Sequence, residues 1–281
     1  MYKYMPLRKV FFDNFLIRAS QRCALNDPFE VLPSKSWLDK AYYNHYKSEH
    51  CSSFDKLLSS ITKLNLNSMG IISLTSRPDN LLMWSHYAND HKGMVIEIDD
   101  NNSEFRKKFG ASSEHPITQN VIYRKDRLKN FEDTERFLPY LYKSIEWAYE
   151  EEQRIIVHNL HSCDFWMCVF NNHSEAKEAF DKKECFDIQL NKCDLDENII
   201  KFKTNDIKQP FSPQSIVNNP RFMSMFQIPT EAIKSVSFGV NADDSEVQEI
   251  CEYIESMPSL KHIVKQRLKL DESVFGIVYG Y

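Results

Sequence analysis

The segment from Trp147 to Val157 concentrates more reactive side chains than any other, with Glu150, Glu151 and Glu152 in succession, followed by Gln153, Arg154 and an apolar Ile155-Ile156-Val157 run. If residues 149 to 157 are extended, Glu150, Glu152 and Arg154 point to one face, while Tyr149, Glu151 and Gln153 point to the other. Two acids and a guanidinium then share a surface. An apolar strand that begins this way either builds an ion-pair network at a sheet edge or delivers a carboxylate into a cleft, and the segment by itself fits both.

Three further groups bear on chemistry. Asn26 and Asp27 precede Pro28, a turn signal, because proline fixes its own φ and pushes the preceding residue out of the helical region. The turn serves the backbone alone or presents the two polar side chains to a ligand. Trp84, Tyr87 and His91 are spaced i, i+3 and i+7, so a continuous helix would carry them on one face, as core or as a stacking surface. His86 and His91 have no third ligand at a recognisable spacing, so no metal is expected.

The elements that must hold these groups follow from periodicity. Arg8 to Ala19 reads as a helix, or as a helix passing into a strand at Phe15 to Ala19. Residues 34–68 carry apolar spacing suited to two helices. Gly70 to Thr75 reads as a buried strand, Asn80 to Ala88 as a helix capped by the Ser76–Asp79 loop, and Met94 to Ile98 as another strand. Beyond these come a strand at 117–123 and a helical stretch from about Glu132 to Trp147 that leads into the acidic strand. Residues 160–227 read as an insertion or excursion in a single domain, with strands at 186–190 and 198–203; there the Phe222 to Phe226 cluster is core, an interface or a lid. A short helical turn from Ile228 to Lys234 follows, then a strand at 235–239, a helix at 245–257 and strands at 263–269 and 274–279. Strands and helices do not alternate regularly, which predicts an α+β fold with a split, largely antiparallel or mixed sheet and flanking helices.

Composition narrows the classes. A chain of 281 residues, 42% hydrophobic and 13% aromatic, has the material for a substantial core. Six glycines leave little for a phosphate loop, and no GxGxxG, GxxxxGK[ST] or GxSxG pattern occurs. The net charge of −5 argues against a broad nucleic-acid footprint. No basic-hydrophobic leader or long apolar run is present, so the expected location is cytoplasmic, with no membrane association. The seven cysteines are odd in number and lack CxxC spacing, which points to reduced thiols.

Asn26 to Glu30, Leu82 to Ala88 with Gly93, Lys143 with Trp147 to Arg154, and Ile228 to Gly239 together resemble the successive signatures of a bacterial family, domain-of-unknown-function family 2971. More remotely, the order of parts is similar to that of ADP-ribosyltransferases, particularly the DNA-modifying toxins of the DarT type. That resemblance implies an N-terminal segment engaging the nicotinamide end of NAD, an aromatic-bearing middle helix and a strand presenting a catalytic glutamate. The His or Arg of the first motif has no counterpart here, and Tyr2, Tyr4 or Arg8 stands in its place.

On this resemblance Glu152 is the catalytic carboxylate. Glu150 orients an acceptor or shares its proton, and Arg154 holds a phosphate or pairs with Glu150. Trp84 or Tyr87 stacks on nicotinamide and Asn26 bonds its carboxamide; Tyr4, Asp27, Ser73 and His91 complete the expected binding set. A carboxylate near the 2′-hydroxyl and anomeric carbon of the ribose stabilises the positive charge that develops as the glycosidic bond breaks. The implied function is an NAD-consuming enzyme, with NAD as substrate and no metal. It transfers ADP-ribose to DNA, RNA or protein or hydrolyses NAD, in bacterial antiviral defence or as a toxin, with a defence-system protein as a possible partner. Two other classes stay open: a metal-dependent nuclease using Glu150, Glu152 and Asp27 around Mg²⁺, and a non-catalytic nucleotide sensor or interaction module.

Overall fold

The computed structural model describes residues 1–46, 68–110, 117–130, 132, 137–208 and 213–280. Most of the second helix expected in 34–68, and parts of the helical stretch expected over 132–147, lie outside them.

The early elements show how local chemistry sets direction. Strand β1 (Tyr2–Met5) is followed by a short helix α1 (Val10–Asn14). Phe15 adopts a left-handed conformation at φ 51°, its N–H bonded to Phe11 O, and the chain leaves as β2 (Leu16–Gln21). Of the two readings of Arg8 to Ala19, the helix passing into a strand is therefore the one adopted. Helix α2 (Lys35–Tyr46) places Trp37, Leu38 and Ala41 in a small core with Ile71, Tyr140 and Ile156.

Next comes β3 (Gly70–Thr75), buried at every position except the half-buried Ser73. Asn80 then caps α3 (Leu81–Tyr87), accepting from the N–H groups of Leu82 and Met83 at 3.0 and 3.1 Å. Its amide nitrogen also donates to Tyr149 O at 2.6 Å, which ties α3 to the turn carrying Glu150. Asn80→Ala is expected to lower stability by about 1 kcal/mol, a loss of roughly 2–4 °C in Tm for a chain of this size. A calorimetric scan showing no change would mean the cap is dispensable.

After α3, Asn89, Asp90 and His91 all have positive φ, between 49° and 65°. This turn reverses the chain into β4 (Met94–Ile98), packed so closely that a Cβ on Gly93 would stand 2.4 Å from Met5 O. The helix thus ends at Tyr87, and His91 does not continue its face.

Strands β5 (Gln119–Asn120) and β6 (Ile122–Arg124) replace the single strand expected at 117–123. The described part of the 132–147 stretch is not helical in the manner expected. It holds a short 3-10 turn at Leu138–Tyr140, strand β7 (Tyr142–Ser144) pairing in parallel with β6, and a 3-10 turn at Ile145–Glu150. Pro139 lacks an N–H, which limits an α-helix to beginning there, and β6 captures the residues that follow.

Strand β8 (Glu152–Val157) then joins the main sheet. So do β9 (Phe165–Val169), β13 (Ile199–Phe202) and β14 (Phe222–Gln227), with β12 (Asp194–Asp196) at the margin; the two-residue strands β10 (Glu184–Cys185) and β11 (Ile188–Gln189) pair only with each other. The segment 160–227 is thus continuous with the central sheet through β14, which pairs with β2 and β9. Phe222 and Phe226 are buried in that strand, as core. The chain closes with β15 (Ile233–Phe238), α4 (Asp244–Ser256), β16 (Val264–Leu270) and β17 (Ile277–Gly280).

Among the described residues thirteen strands form one mixed sheet, antiparallel except where β15 and β16 run parallel. The fold is α+β, with helices flanking the sheet. One irregularity in it matters for function. β3 pairs with β8 over its whole length, from Gly70 opposite Val157 to Thr75 opposite Glu152. Along its other edge it meets β2 only at Gly70 and Ile71, and β1 only at Thr75. Between those contacts β1 and β2 diverge, and the sheet opens.

Candidate functional site

A cavity of about 430 Å³ occupies this opening, within the range of small-molecule sites. Lys3 and Tyr4 of β1, Ser20 of β2, Ser73 of β3, Tyr87 of α3, and Asn26, Glu30, Lys143, Glu150 and Glu152 contribute to its walls. Lys3 Nζ donates to Ser73 O at 2.8 Å, on the edge of β3 that lacks a neighbouring strand. Burial pulls the Lys3 ammonium down to about 8, partly offset by the charge of Glu152.

The floor is an ionic cluster of five buried side chains. Lys143 Nζ lies 2.9 Å from Glu30 Oε1, 2.5 Å from Glu150 Oε2 and 3.1 Å from Glu152 Oε2. Arg154, fully buried, grips Glu152 with two prongs, Nε to Oε1 and Nη2 to Oε2, both at 2.8 Å. Its Nη2 also reaches Glu30 at 2.9 Å, and its Nη1 donates to Tyr140 O at 2.6 Å. Such a fork-to-fork pair is among the stronger hydrogen-bonded arrangements a protein makes. With three carboxylates against two cations, the cluster carries one formal negative charge in excess.

Local geometry differs from a simple extended reading. Glu152 and Arg154 do share a buried face of β8, as alternation requires. Glu150, however, ends a 3-10 turn, and Glu151 follows it at φ 43° before the strand begins. The left-handed step returns Glu150 to the buried side and turns Glu151 outward to Arg77, 3.0 Å away. Thr75 Oγ1 donates to Glu150 O at 2.7 Å and fixes the turn against β3.

The two carboxylates in the cleft have opposite electrostatic settings. Burial works against ionisation of Glu152, yet Arg154, by charge and by its double hydrogen bond, outweighs burial with help from Lys143 and holds the carboxyl at about 2. Burial pushes Glu150 the other way, above the ordinary glutamate value, in spite of Lys143. Its Oε1 accepts from Tyr87 OH at 2.5 Å, and Asn26 Nδ2 donates to the same phenol oxygen at 3.2 Å. Burial and the Glu150 charge raise the Tyr87 phenol, which stays protonated as a donor. Neighbouring groups pushed apart in this way are the pattern from which acid and base roles arise. Glu152 is saturated by cations, whereas Glu150 faces the cavity between one ammonium and one phenol.

A sign follows for stability. A carboxyl held lower in the folded chain than in the unfolded one stabilises the fold above its unfolded value of 4.5, and that contribution is lost as pH falls toward about 2. The wild type should therefore lose stability steeply between pH 4.5 and 2, and Glu152→Gln should show a shallower dependence. Denaturant titrations at several pH values with parallel slopes for the two chains would count against this account of Glu152.

Of the residues expected at the site, Tyr4, Asn26, Ser73, Tyr87, Glu150 and Glu152 line the cavity. Tyr4 OH donates to Arg77 O at 2.9 Å. Four others do not line it. Trp84 is completely buried, its Nε1 donating to Pro78 O at 2.8 Å and its ring edge-on to Tyr4 at 5.4 Å, so it is core. His91 sits in the left-handed turn, where its carbonyl accepts from Asn241 N at 3.0 Å. Asp27 Oδ1 accepts from Phe29 N at 2.8 Å, the turn chemistry of an Asx residue before proline. Arg154 lies beneath the cleft as the clamp on Glu152. The expected Mg²⁺ set of Glu150, Glu152 and Asp27 is not gathered, because Lys143 bridges the two glutamates and Asp27, whose Oδ1 holds its turn, does not line the cleft.

Lys3, Glu30 and Lys143 were not identified as site residues from sequence. Glu30 and Lys143 do fall inside the family signatures, and a lysine directly after Leu141-Tyr142 was the available signal. Their meeting depends on contacts across 113 and 124 residues of chain, the spans from Glu30 to Lys143 and to Arg154, which local periodicity cannot report.

The molecule is thus an α+β protein whose sheet opens onto a buried carboxylate and cation cluster. Residues 83–155, which contain most of α3, Lys143 and the Glu150 to Arg154 motif, match the model of a family described as a protein of unknown function, DUF2971. No curated protein and no solved structure matches the chain. The likeness to ADP-ribosyltransferases gains no support from these comparisons. Among the described residues no helix is long and apolar enough to cross a membrane.

Proposed function

We propose that the cleft binds NAD and that the protein consumes it, either by transferring ADP-ribose to an acceptor or by hydrolysis. The observation that carries this reading is Glu150. It is a carboxylate raised by burial, hydrogen-bonded to Tyr87 and Lys143, and turned toward a cavity at the opening of the sheet.

In this reading Glu150 accepts a hydrogen bond from the ribose 2′-hydroxyl and stabilises the oxocarbenium-like charge by proximity. Glu152, clamped by Arg154 and Lys143, positions Lys143 and Glu150 rather than reacting. This exchanges the roles that the sequence resemblance implied for the two glutamates. Asn26 supplies an amide for the nicotinamide carboxamide, Tyr87 an aromatic edge beside it, and Lys3 an ammonium for the pyrophosphate. The acceptor is DNA, RNA, protein or water, and the setting is bacterial conflict or defence.

The test is nicotinamide release from NAD by the purified chain, with and without EDTA. Release that persists in EDTA and is lost in Glu150→Gln supports the proposal. Absence of both release and NAD binding sinks it, and release abolished by EDTA turns attention to metal-dependent chemistry.

A further inference from the structure

Behind Lys143 lies a second cavity, of about 220 Å³. It is framed by the parallel pair β6 and β7 and by the chain around Phe29, and Lys143 lines both this cavity and the cleft. We propose that it binds a nucleoside phosphate, free or at the 5′ end of a nucleic-acid strand.

Three observations carry the assignment. First, Arg124, Lys125 and Arg127 line the cavity within four residues of sequence, in a chain whose net charge is −5. Among the described residues none of the three has a carboxylate partner, and the one acid between them, Asp126, is paired with Lys129 at 3.2 Å. Cations collected at a concavity and left without counter-ions form a site for an anion. Second, Phe29 is 60% exposed on the same wall, with the Arg127 guanidinium 5.8 Å from its ring centroid. An exposed ring with an arginine above it offers a stacking surface for a base, which every base can use through its π-face. Third, at about 220 Å³ the hollow is about half the size of the 430 Å³ cleft, which argues for one nucleotide unit rather than two.

Neither feature alone identifies the ligand. A purely cationic hollow would take any anion, and a purely aromatic one any apolar ring; the two together select a flat heterocycle bearing phosphate. Guanidinium groups at Arg124 and Arg127 suit phosphate by their planar, two-pronged donors. This assignment does not depend on NAD turnover in the cleft.

The experiment is calorimetric titration of the full chain with ADP, with a 5′-phosphorylated trinucleotide and with adenosine. The same titrations are repeated on the double variant Arg124→Ser with Arg127→Ser. Both arginines are exposed, so the double variant is expected to fold as the parent does. Expected is binding of ADP, of the trinucleotide or of both, weakened at least tenfold in the double variant and at least tenfold weaker for adenosine. Binding of ADP alone marks a free nucleotide as the source, and a clear preference for the trinucleotide marks a strand end. Failure of both phosphorylated ligands to bind, binding indifferent to the double variant, or adenosine binding as well as ADP would overturn the proposal.

Discussion

Replacing Arg154 with methionine is expected to cost about 3–5 kcal/mol of folding stability, the range for removing one partner of a buried ion pair. The side chain is fully buried, and its guanidinium makes four hydrogen bonds to Glu152, Glu30 and the Tyr140 carbonyl. Methionine matches much of its length but leaves Glu152 and Glu30 to share Lys143 alone, at net charge −2 for the cluster. The remaining nearby cation is Lys3, on the opposite side of the cleft, so the variant should also bind protons at pH values where the parent does not. Adding Glu152→Gln to Arg154→Met should recover a measurable part of the loss, since the added change removes a charge left without its partner. Chemical denaturation of the four chains of this double-mutant cycle gives the coupling directly. A loss below about 1 kcal/mol for Arg154→Met would mean that solvent reaches the cluster and that it behaves like a surface network.

The second large effect concerns catalysis. Glu150→Gln is expected to slow nicotinamide release about 100- to 1,000-fold, the cost of removing one preorganised electrostatic group from a transition state. Glutamine keeps the shape and can still accept from Tyr87, so the fold should survive, as near-parental denaturation would show. In the parent, the rate should climb with pH through a limb above the ordinary glutamate value, because burial raises that carboxyl and only its ionised form stabilises the cation. Glu152→Gln should act differently, reducing activity together with stability. If Glu150→Gln retained full activity while Glu152→Gln, shown to be folded, lost it, the assignment of roles would revert to the one the resemblance implied.

Much of the frame was legible in the sequence. Gly70 to Thr75, Met94 to Ile98 and the strand Ile233 to Phe238 lie close to where periodicity puts them, because they are largely apolar runs bounded by turn chemistry, and the helix Asp244 to Ser256 does so because its apolar residues recur at helical spacing behind the Asp243 cap. The shared face of Glu152 and Arg154 was equally plain, as it needs only the two-residue repeat of a strand. Illegible parts had one of two physical causes. Backbone handedness at Glu151 and at Asn89 to His91 is set by non-glycine residues with positive φ, which sequence seldom signals. The partners of the cluster come from distant chain segments, so Glu30 read as part of a turn and Lys143 as part of a helical stretch. The choice between an ion-pair network and a carboxylate in a cleft was itself a false alternative, since β8 contributes to both.

The position of β1 carries a consequence for biosynthesis. Residues 2–5 are made before the other described strands, but their partners in the sheet are Met94–Glu97, about ninety residues later, with Thr75 meeting Tyr2 on the other side. The wall of the cleft therefore waits, unpaired, while the ribosome adds the strands on either side of it, and the floor arrives only with Glu152 and Arg154. Pairings this distant close slowly relative to local ones, so a nascent chain remains without a pocket until β8 has emerged. Whatever the cleft does, a truncated or stalled product ending before β8 cannot do it.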